Sequence, residues 1–353
     1  MTVTISEVAR QAQVSASTVS RVFTMPELVR EPTRRRVWDV ATELGYRPNR
    51  AARGLVSGKT GNVGIIVPDL ANPLFPSVVK GAQARARETD HAVFLADTDE
   101  DPREEFDLIQ TMAKQVDGVI VCSSRLSRAQ IEEVADLTSL VLLNRQVPHI
   151  PSVLMDSADG MRQAVDHLAA LGHQRVAYLQ GPRSSWSNGV RRRGLRSASQ
   201  RHGLEVTTLG PFAPYFEAGV QAADLALASQ VTAILAYNDL LALGVLARLA
   251  DRGVAIPDEV SVTGFDDIAM AGMATPPLTT VALPAEQAGR VAVDMLHAIL
   301  GNRGSQPDES SRRRLSTQLI VRSSTTPPAK LRERTPGDSP GEEPGEPLGK
   351  DGS

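Results

Sequence analysis

ISEVARQAQVSASTVSRVF, residues 5–23, reads as a short helix, a tight turn and a second helix. Ile5, Val8, Ala9 and Ala12 recur at i, i+3, i+4 and i+7, which gives the first helix one apolar face. Val14, Val19 and Val22 supply the stripe that meets it. Gln13-Val14-Ser15 makes the bend, and Ser15 is an N-cap whose oxygen accepts a free backbone N–H of the next helix. Ala16, Ser17, Ser20 and Arg21 then remain on the outer side, in position to face base edges in a DNA groove. Glu31-Pro32 opens a third helix without the usual Ser or Thr cap, an omission worth about 1 kcal/mol at most. Val37, Val40, Ala41 and Leu44 form its buried stripe, and Gly45 closes it as a left-handed C-cap. Three short helices around one core make residues 1–46 a small all-α helix-turn-helix domain.

Periodicity alone describes any three-helix miniature domain; charge favours a polyanion as its partner. Residues 1–60 hold ten Lys and Arg against five acids, whereas the whole chain carries −3, so the remainder is acidic. The basic segment Arg47 to Lys59 lies within this end. Its Gly54-Leu55-Val56-Ser57-Gly58-Lys59-Thr60 imitates a phosphate-binding loop, but it is one residue short between the glycines and follows no strand.

From Asn62 the pattern changes to short apolar runs alternating with helical stretches. The runs are 63–67, 92–95, 118–121, 140–143, 153–155, 176–179, 231–236, 260–262 and 319–321. Continuous apolar strands separated by helices imply parallel sheets covered on both faces. A stretch of this length, residues 61–323, is more than one open sheet accommodates and predicts two α/β lobes. Nearly every run ends in a polar residue: Asp69, Asp97, Ser123, Asn144, Asp156, Asn238-Asp239 and Asp266-Asp267. Ligands of doubly wound sheets sit beyond the carboxyl ends of the strands, so these groups converge on a cleft between the lobes. Asp239, at the start of the helix from Leu240 to Arg252, reads as a helix cap.

The motifs Val8-Ala9-Arg10, VSASTVSRV at 14–22, ELGYRPN at 43–49 and ARGL at 52–55, in that order and spacing, resemble the lactose/galactose repressor (LacI) family of bacterial transcription regulators. The similarity runs to about Ser323. It implies a DNA-binding set of Ser15, Ala16, Ser17, Ser20 and Arg21, with Arg21 suited to bidentate pairing with guanine. It also implies that residues 47–60 are a hinge helix and linker contributing Asn49, Arg50, Ala52, Arg53 and Leu55, with Leu55 wedged into the minor groove. So short a helix is marginal alone and is expected to fold on DNA beside a second subunit. Residues 61–323 become a periplasmic-binding-protein-like effector and dimerisation domain.

For the cleft, the resemblance implies effector contacts from Leu74, Phe75, Asn144, Asp156, Trp186, Arg191, Phe212, Asn238 and Asp266. Planar Arg, Asn and Asp side chains hold vicinal hydroxyls two at a time, and Trp186, Phe75, Phe212 or Phe216 offer an aromatic face. Ser185 stands where purine-responsive members carry arginine, which argues against a nucleobase; the stretch 212–216 does not align cleanly. The implied protein is a homodimer that binds a pseudo-palindromic operator in double-stranded DNA and responds to a small molecule, a sugar or sugar derivative. A corepressor-dependent repressor, or an activator with a non-sugar effector, is the alternative.

No nucleophile, base and orienting residue occur at a recognisable spacing, so an enzyme on this scaffold is not expected. Cys122, the single cysteine, excludes an internal disulfide and reads as a buried small residue. The histidines are scattered, and neither metal nor cofactor is expected. With no signal peptide and no 18-residue apolar run, the expectation is a cytoplasmic protein without a membrane partner. Residues 324–353, rich in proline and glycine, read as a disordered tail without the leucine heptads of a coiled coil.

Overall fold

A computed structural model describes residues 3–46, 60–301 and 312–329. The amino-terminal unit contains α1 (Ile5–Gln11), α2 (Ala16–Thr24) and α3 (Glu31–Glu43). Val8, Ala12, Val19 and Val37 are fully buried between them. Gln13 takes a left-handed φ of 53° at the bend. Ser15 Oγ accepts from Thr18 N at 3.1 Å, so α2 starts on a satisfied cap. Gly45, at φ 66°, ends the third helix, where a side chain would add strain. No side chain caps α3, and Pro32 occupies its first turn instead.

The first lobe begins with β1 (Asn62–Val67), α4 (Leu74–Glu88), β2 (Ala92–Asp97), α5 (Pro102–Met112) and β3 (Gly118–Cys122). It continues with α6 (Arg128–Leu137), β4 (Ser139–Leu143) and β5 (Ser152–Met155). The chain then crosses at Asp156 into the second lobe. There it forms α7 (Ser157–Ala170), β6 (Arg175–Leu179), α8 (Trp186–His202), β7 (Glu205–Leu209), α9 (Phe216–Ala228) and β8 (Ala233–Ala236). Next come α10 (Asp239–Asp251), β9 (Ser261–Asp266), α11 (Ala269–Met273) and β10 (Thr279–Ala282). After Leu283-Pro284 it returns as α12 (Ala285–Gly301), which packs on α4, and β11 (Arg312–Leu315), then crosses again to β12 (Gln318–Ile320).

The sheets run β11-β5-β4-β3-β1-β2 and β12-β10-β9-β8-β6-β7. Every pairing is parallel except β10 with β12. In this order the chain reverses direction between β1 and β3 in one sheet and between β6 and β8 in the other, which opens a crevice at each set of carboxyl ends. Strands β1, β3, β4, β6, β8 and β9 are buried almost throughout because helices cover both faces, which explains their unbroken apolar runs. Backbones approach closely where α9 crosses α10: a Cβ on Gly219 would lie 2.1 Å from Leu241 O.

Three strands were not expected from the apolar runs. Edge strand β7 is half exposed, β10 is threonine-rich, and β11 is Arg312-Arg313-Arg314-Leu315 on the rim of a sheet. Strand β9 also runs on to Asp266, beyond the expected 260–262. The boundary expected at 323 falls inside packed structure: Ser324 is buried, its Oγ donates to Val262 O at 2.6 Å, and Thr326 N donates to Ser261 Oγ at 3.1 Å. Cys122 is buried, and burial, reinforced by Glu105, pushes its thiol up to about 12.

Candidate functional site

Two surfaces carry chemistry. On α2, Ala16, Ser17 and Arg21 are exposed and Ser20 is half-buried. Ser15 is held at the helix start by Ser17 Oγ and Thr18 Oγ1, both at 2.8 Å. Among the described residues no acid pairs with Arg21, so its guanidinium faces water on the outer side of the helix. Asn49, Arg50, Ala52, Arg53 and Leu55 lie outside the described residues.

The second surface is a cleft at the carboxyl ends of both sheets. From the first lobe it is lined by Asn72, Leu74, Phe75, Glu100, Ser123, Arg125 and Asn144; from the second, by Ser187, Arg191, Pro214, Tyr237 and Asp266. The cavity between them is about 20 Å³, room for a water but not for a sugar ring. A larger ligand therefore requires the lobes or the lining side chains to move apart. Glu100, Ser123, Asn144 and Asp266 have φ of 61°, 47°, 56° and 117°. Left-handed backbone in non-glycine residues stores strain, and four of the lining positions carry it.

Arg191, on α8, is the centre of the second lobe's share. It is buried, donates from Nη1 to Tyr237 O, and donates from Nη2 to Asp266 Oδ1 at 3.2 Å. Its Cζ stands 3.7 Å from the Phe265 ring centroid and 4.7 Å from that of Tyr237, so two aromatic faces fix the guanidinium. Its Nε is buried without a partner. Burial pushes the Asp266 carboxyl up to about 6, against the pull of Arg191 and of a hydrogen bond from Asn72 across the cleft. Asn72 Oδ1 meanwhile accepts from Leu74 N at 3.0 Å, which anchors the first turn of α4.

In the first lobe Arg125 grips Glu100 in bidentate fashion, Nε to Oε2 at 2.5 Å and Nη2 to Oε1 at 2.6 Å, and donates from Nη1 to Ser123 O at 2.8 Å. Its backbone N–H donates to buried Glu105 Oε2 at 2.8 Å. Burial raises the Glu105 carboxyl despite bonds from Ser124 and Arg125. Asn144 Nδ2 donates to Ser123 Oγ at 3.3 Å, and Asn144 Oδ1 is buried without a partner.

The structure thus brings Leu74, Phe75, Asn144, Arg191 and Asp266 to one cavity. It does not bring the other four expected residues there. Asp156 caps α7, accepting from Asp159 N at 3.2 Å, and pairs with Arg314 at 3.3 Å. Asn238 caps α10, accepting from Leu241 N at 3.0 Å, and donates to Pro214 O at 3.0 Å. The cap expected of Asp239 therefore falls to its neighbour. Trp186 opens α8 half-buried, one turn before Arg191, and does not line the cavity. Phe212 packs on the second lobe's apolar core. Sequence reading did not name Asn72, Glu100, Arg125, Ser187, Pro214 or Tyr237 as contacts. Tyr237 and Arg125 follow β8 and β3 by one and three residues, so counting past each strand end would have reached them.

Comparison with known proteins fits both surfaces. Residues 4–49 match the model of bacterial regulatory proteins of the lacI family, and 165–325 match a periplasmic binding protein-like domain. The HTH-type transcriptional repressor CytR of Escherichia coli (strain K12) is 34% identical over 334 residues, 91% of this chain and 96% of CytR. The crystal structure of the lac repressor dimer bound to operator and the anti-inducer ONPF aligns with a TM-score of 0.82 at 27% identity, covering 92% of this chain and 100% of that one. The transcriptional regulator CelR in complex with cellobiose aligns with a TM-score of 0.67 at 30% identity, covering 91% and 99%.

Proposed function

The chain belongs to the lacI family of bacterial regulatory proteins, and from that premise we propose a repressor whose operator affinity is set by a sugar or sugar derivative held between its two lobes. The observation that carries the reading is the cleft: two lobes contribute strained, polar residues to one cavity, with Asn144 Oδ1 and Arg191 Nε left unpartnered. Buried polar atoms without partners are costly, and a ligand hydroxyl supplies what each lacks. The cellobiose bound by CelR supports a carbohydrate.

The protein acts as a homodimer on a pseudo-palindromic operator, α2 entering the major groove. Two exposed apolar surfaces suit the second copy: Phe94 and Leu95 on edge strand β2, and a groove of Phe216, Leu240, Leu243, Met270 and Met273. Alanine at Arg21 is expected to weaken operator binding by about 1–3 kcal/mol, the discrimination of a bidentate base contact. An unchanged Kd for Arg21→Ala at fixed salt would remove this residue from the recognition set.

Coupling passes through Asp117. Its Oδ1 accepts from Thr60 N at 2.6 Å and its Oδ2 from Gly61 N at 2.8 Å, gripping the chain where it enters the first lobe. A change in lobe angle on ligand binding is thereby passed to the segment that leads to DNA. Family switches of this kind are worth about 1–3 kcal/mol of coupling. Asp117→Ala is expected to keep sugar binding and to lose most of the change in operator affinity, measured as two titrations on the same preparation. Retention of the full change would place the coupling elsewhere.

The reading is tested by fluorescence anisotropy of the full chain on its own promoter DNA at fixed salt, since phosphate contacts make affinity steeply ionic. Release by one sugar supports an inducible repressor. Tightening by a compound makes it a corepressor-dependent one, and indifference to every sugar removes the carbohydrate.

A further inference from the structure

Resting on the reading of this cleft as the effector site, we propose that the effector is an uncharged polyhydroxylated molecule and that the Arg125–Glu100 pair, its arginine buried and its carboxylate half-buried, excludes the phosphorylated or carboxylated forms.

Phosphate and carboxylate ligands are recognised by arginines or lysines with free N–H forks. The cleft has two arginines, and each already holds a carboxylate, with only Arg191 Nε left without a partner. Arg125 has Nε and Nη2 on Glu100 and Nη1 on Ser123 O. Arg191 has Nη2 on Asp266 and Nη1 on Tyr237 O. No other Lys, Arg or His lines the cavity. Each lobe therefore presents one cation already neutralised by one carboxylate. An entering anion adds a second negative charge beside each of these neutralised pairs, with no further cation in the lining to compensate it, and an uncompensated charge is costly in a site shut off from water.

The surroundings reinforce the exclusion. Asp69, buried beside the cleft, has its carboxyl raised by burial and then by Asp97, Glu100 and Asp99. Tyr215, from the opposite lobe, has its hydroxyl pushed up to about 12 by burial and by Asp69, Glu100 and Asp99. The acids of the first lobe thus act across the cleft on Tyr215, against the opposing pull of Arg125. The unpartnered atoms speak for hydroxyls: Asn144 Oδ1 requires a donor and Arg191 Nε an acceptor. A hydroxyl is both, whereas a phosphate dianion only accepts.

The test compares matched pairs on the full-length protein: ribose with ribose 5-phosphate, glucose with glucose 6-phosphate, cellobiose and lactose with their 6-phosphates. Anisotropy of promoter DNA and thermal unfolding are the readouts. The expected result is that one neutral sugar acts and its phosphate is at least 100-fold weaker. In Glu100→Gln, which removes the compensating charge from Arg125, that gap should narrow at least tenfold. If a phosphate ester acts on the wild type at or below the concentration of its parent, the proposal is overturned while the carbohydrate reading stands. If no member of any pair acts, both fall. A wild-type gap that persists in a folded Glu100→Gln protein overturns the role of the pair. Should that variant not fold, the wild-type ratio alone decides whether the effector is neutral.

Discussion

Arg191→Ala is expected to abolish the response to effector and to lower stability by about 3–5 kcal/mol, the cost of breaking a buried ion pair by removing one partner. The reason is geometric. Arg191 and Asp266 are both nearly inaccessible, so deleting the guanidinium leaves the Asp266 carboxyl without its counter-charge in the same dry space. The Tyr237 carbonyl loses its donor, and the rings of Phe265 and Tyr237 lose the cation packed between them. Three consequences of one deletion fall on the face that closes the cleft. Asp266→Asn in the same chain should recover part of the stability, because it removes the orphaned charge, and none of the response, because the ligand contact is still missing. Urea unfolding and anisotropy on promoter DNA separate the two. An Arg191→Ala protein that still responds to the wild-type effector at the same concentration would place recognition elsewhere. Operator binding without effector should survive, since Arg191 is remote in sequence from α2.

The contrast between what was legible and what was not follows from the physics of each residue. The helix-turn-helix unit was readable because its signals are local: four apolar positions at helical spacing, a serine cap and a closing glycine all act within 45 residues. The interior strands were readable because helices on both faces force continuous apolar runs. Strands β7 and β11 escaped because an edge is half solvated, and its residues answer to water as much as to the core. At the cleft, the strand-end rule found the right neighbourhood but not which side chain faces inward. Asn238 and Asp156 satisfy it in sequence, yet each turns its oxygen back onto the first turn of a following helix. Asn144 and Asp266 satisfy it and line the cavity, each from backbone of positive φ, whereas Asp267, at φ 57°, pairs with Arg322 instead. Whether a polar residue after a strand caps or contacts is settled by the path of the chain beyond the strand, which a single sequence does not display. Arg125 and Glu100 were hidden for another reason: they are 25 positions apart, and only the parallel neighbours β1, β2 and β3 bring their loops together.

Asp239→Asn is expected to flatten the pH dependence of stability and to make the protein more stable than wild type above pH 7. Asp239 is fully buried, with Oδ1 accepting from Thr280 Oγ1 at 2.5 Å and Oδ2 accepting from Ile268 N at 2.9 Å. Strand β9 leaves no space around it: a Cβ on Gly264 would lie 2.0 Å from its Oδ1. Burial, then the nearby charge of Asp266, pushes this carboxyl up to about 7, while Thr280 and Ile268 pull it back. Between its ordinary value of 3.8 and about 7, the folded chain therefore keeps a proton that the unfolded chain has released. More protons bound in the folded state means that stability falls as pH rises through this window and is level above it. Asp266, pushed up to about 6, acts in the same direction. The Asp239 contribution across the window is on the order of 4 kcal/mol. An asparagine there keeps both hydrogen bonds, accepting from Ile268 N and donating to Thr280 Oγ1, and carries no proton to lose. Urea unfolding at pH 5, 6, 7 and 8 should show the difference between variant and wild type growing along the series in favour of the variant; the slopes common to both, falling for Asp266 and rising for His173, which burial pushes down to about 4, cancel in that difference. Parallel curves for the two proteins would mean that Asp239 titrates as an ordinary carboxylate. The same proton bears on function, because Asp239 and Asp266 occupy adjacent positions behind and within the cleft. A charged Asp266 raises the Asp239 carboxyl, so the two buried acids oppose each other's ionisation.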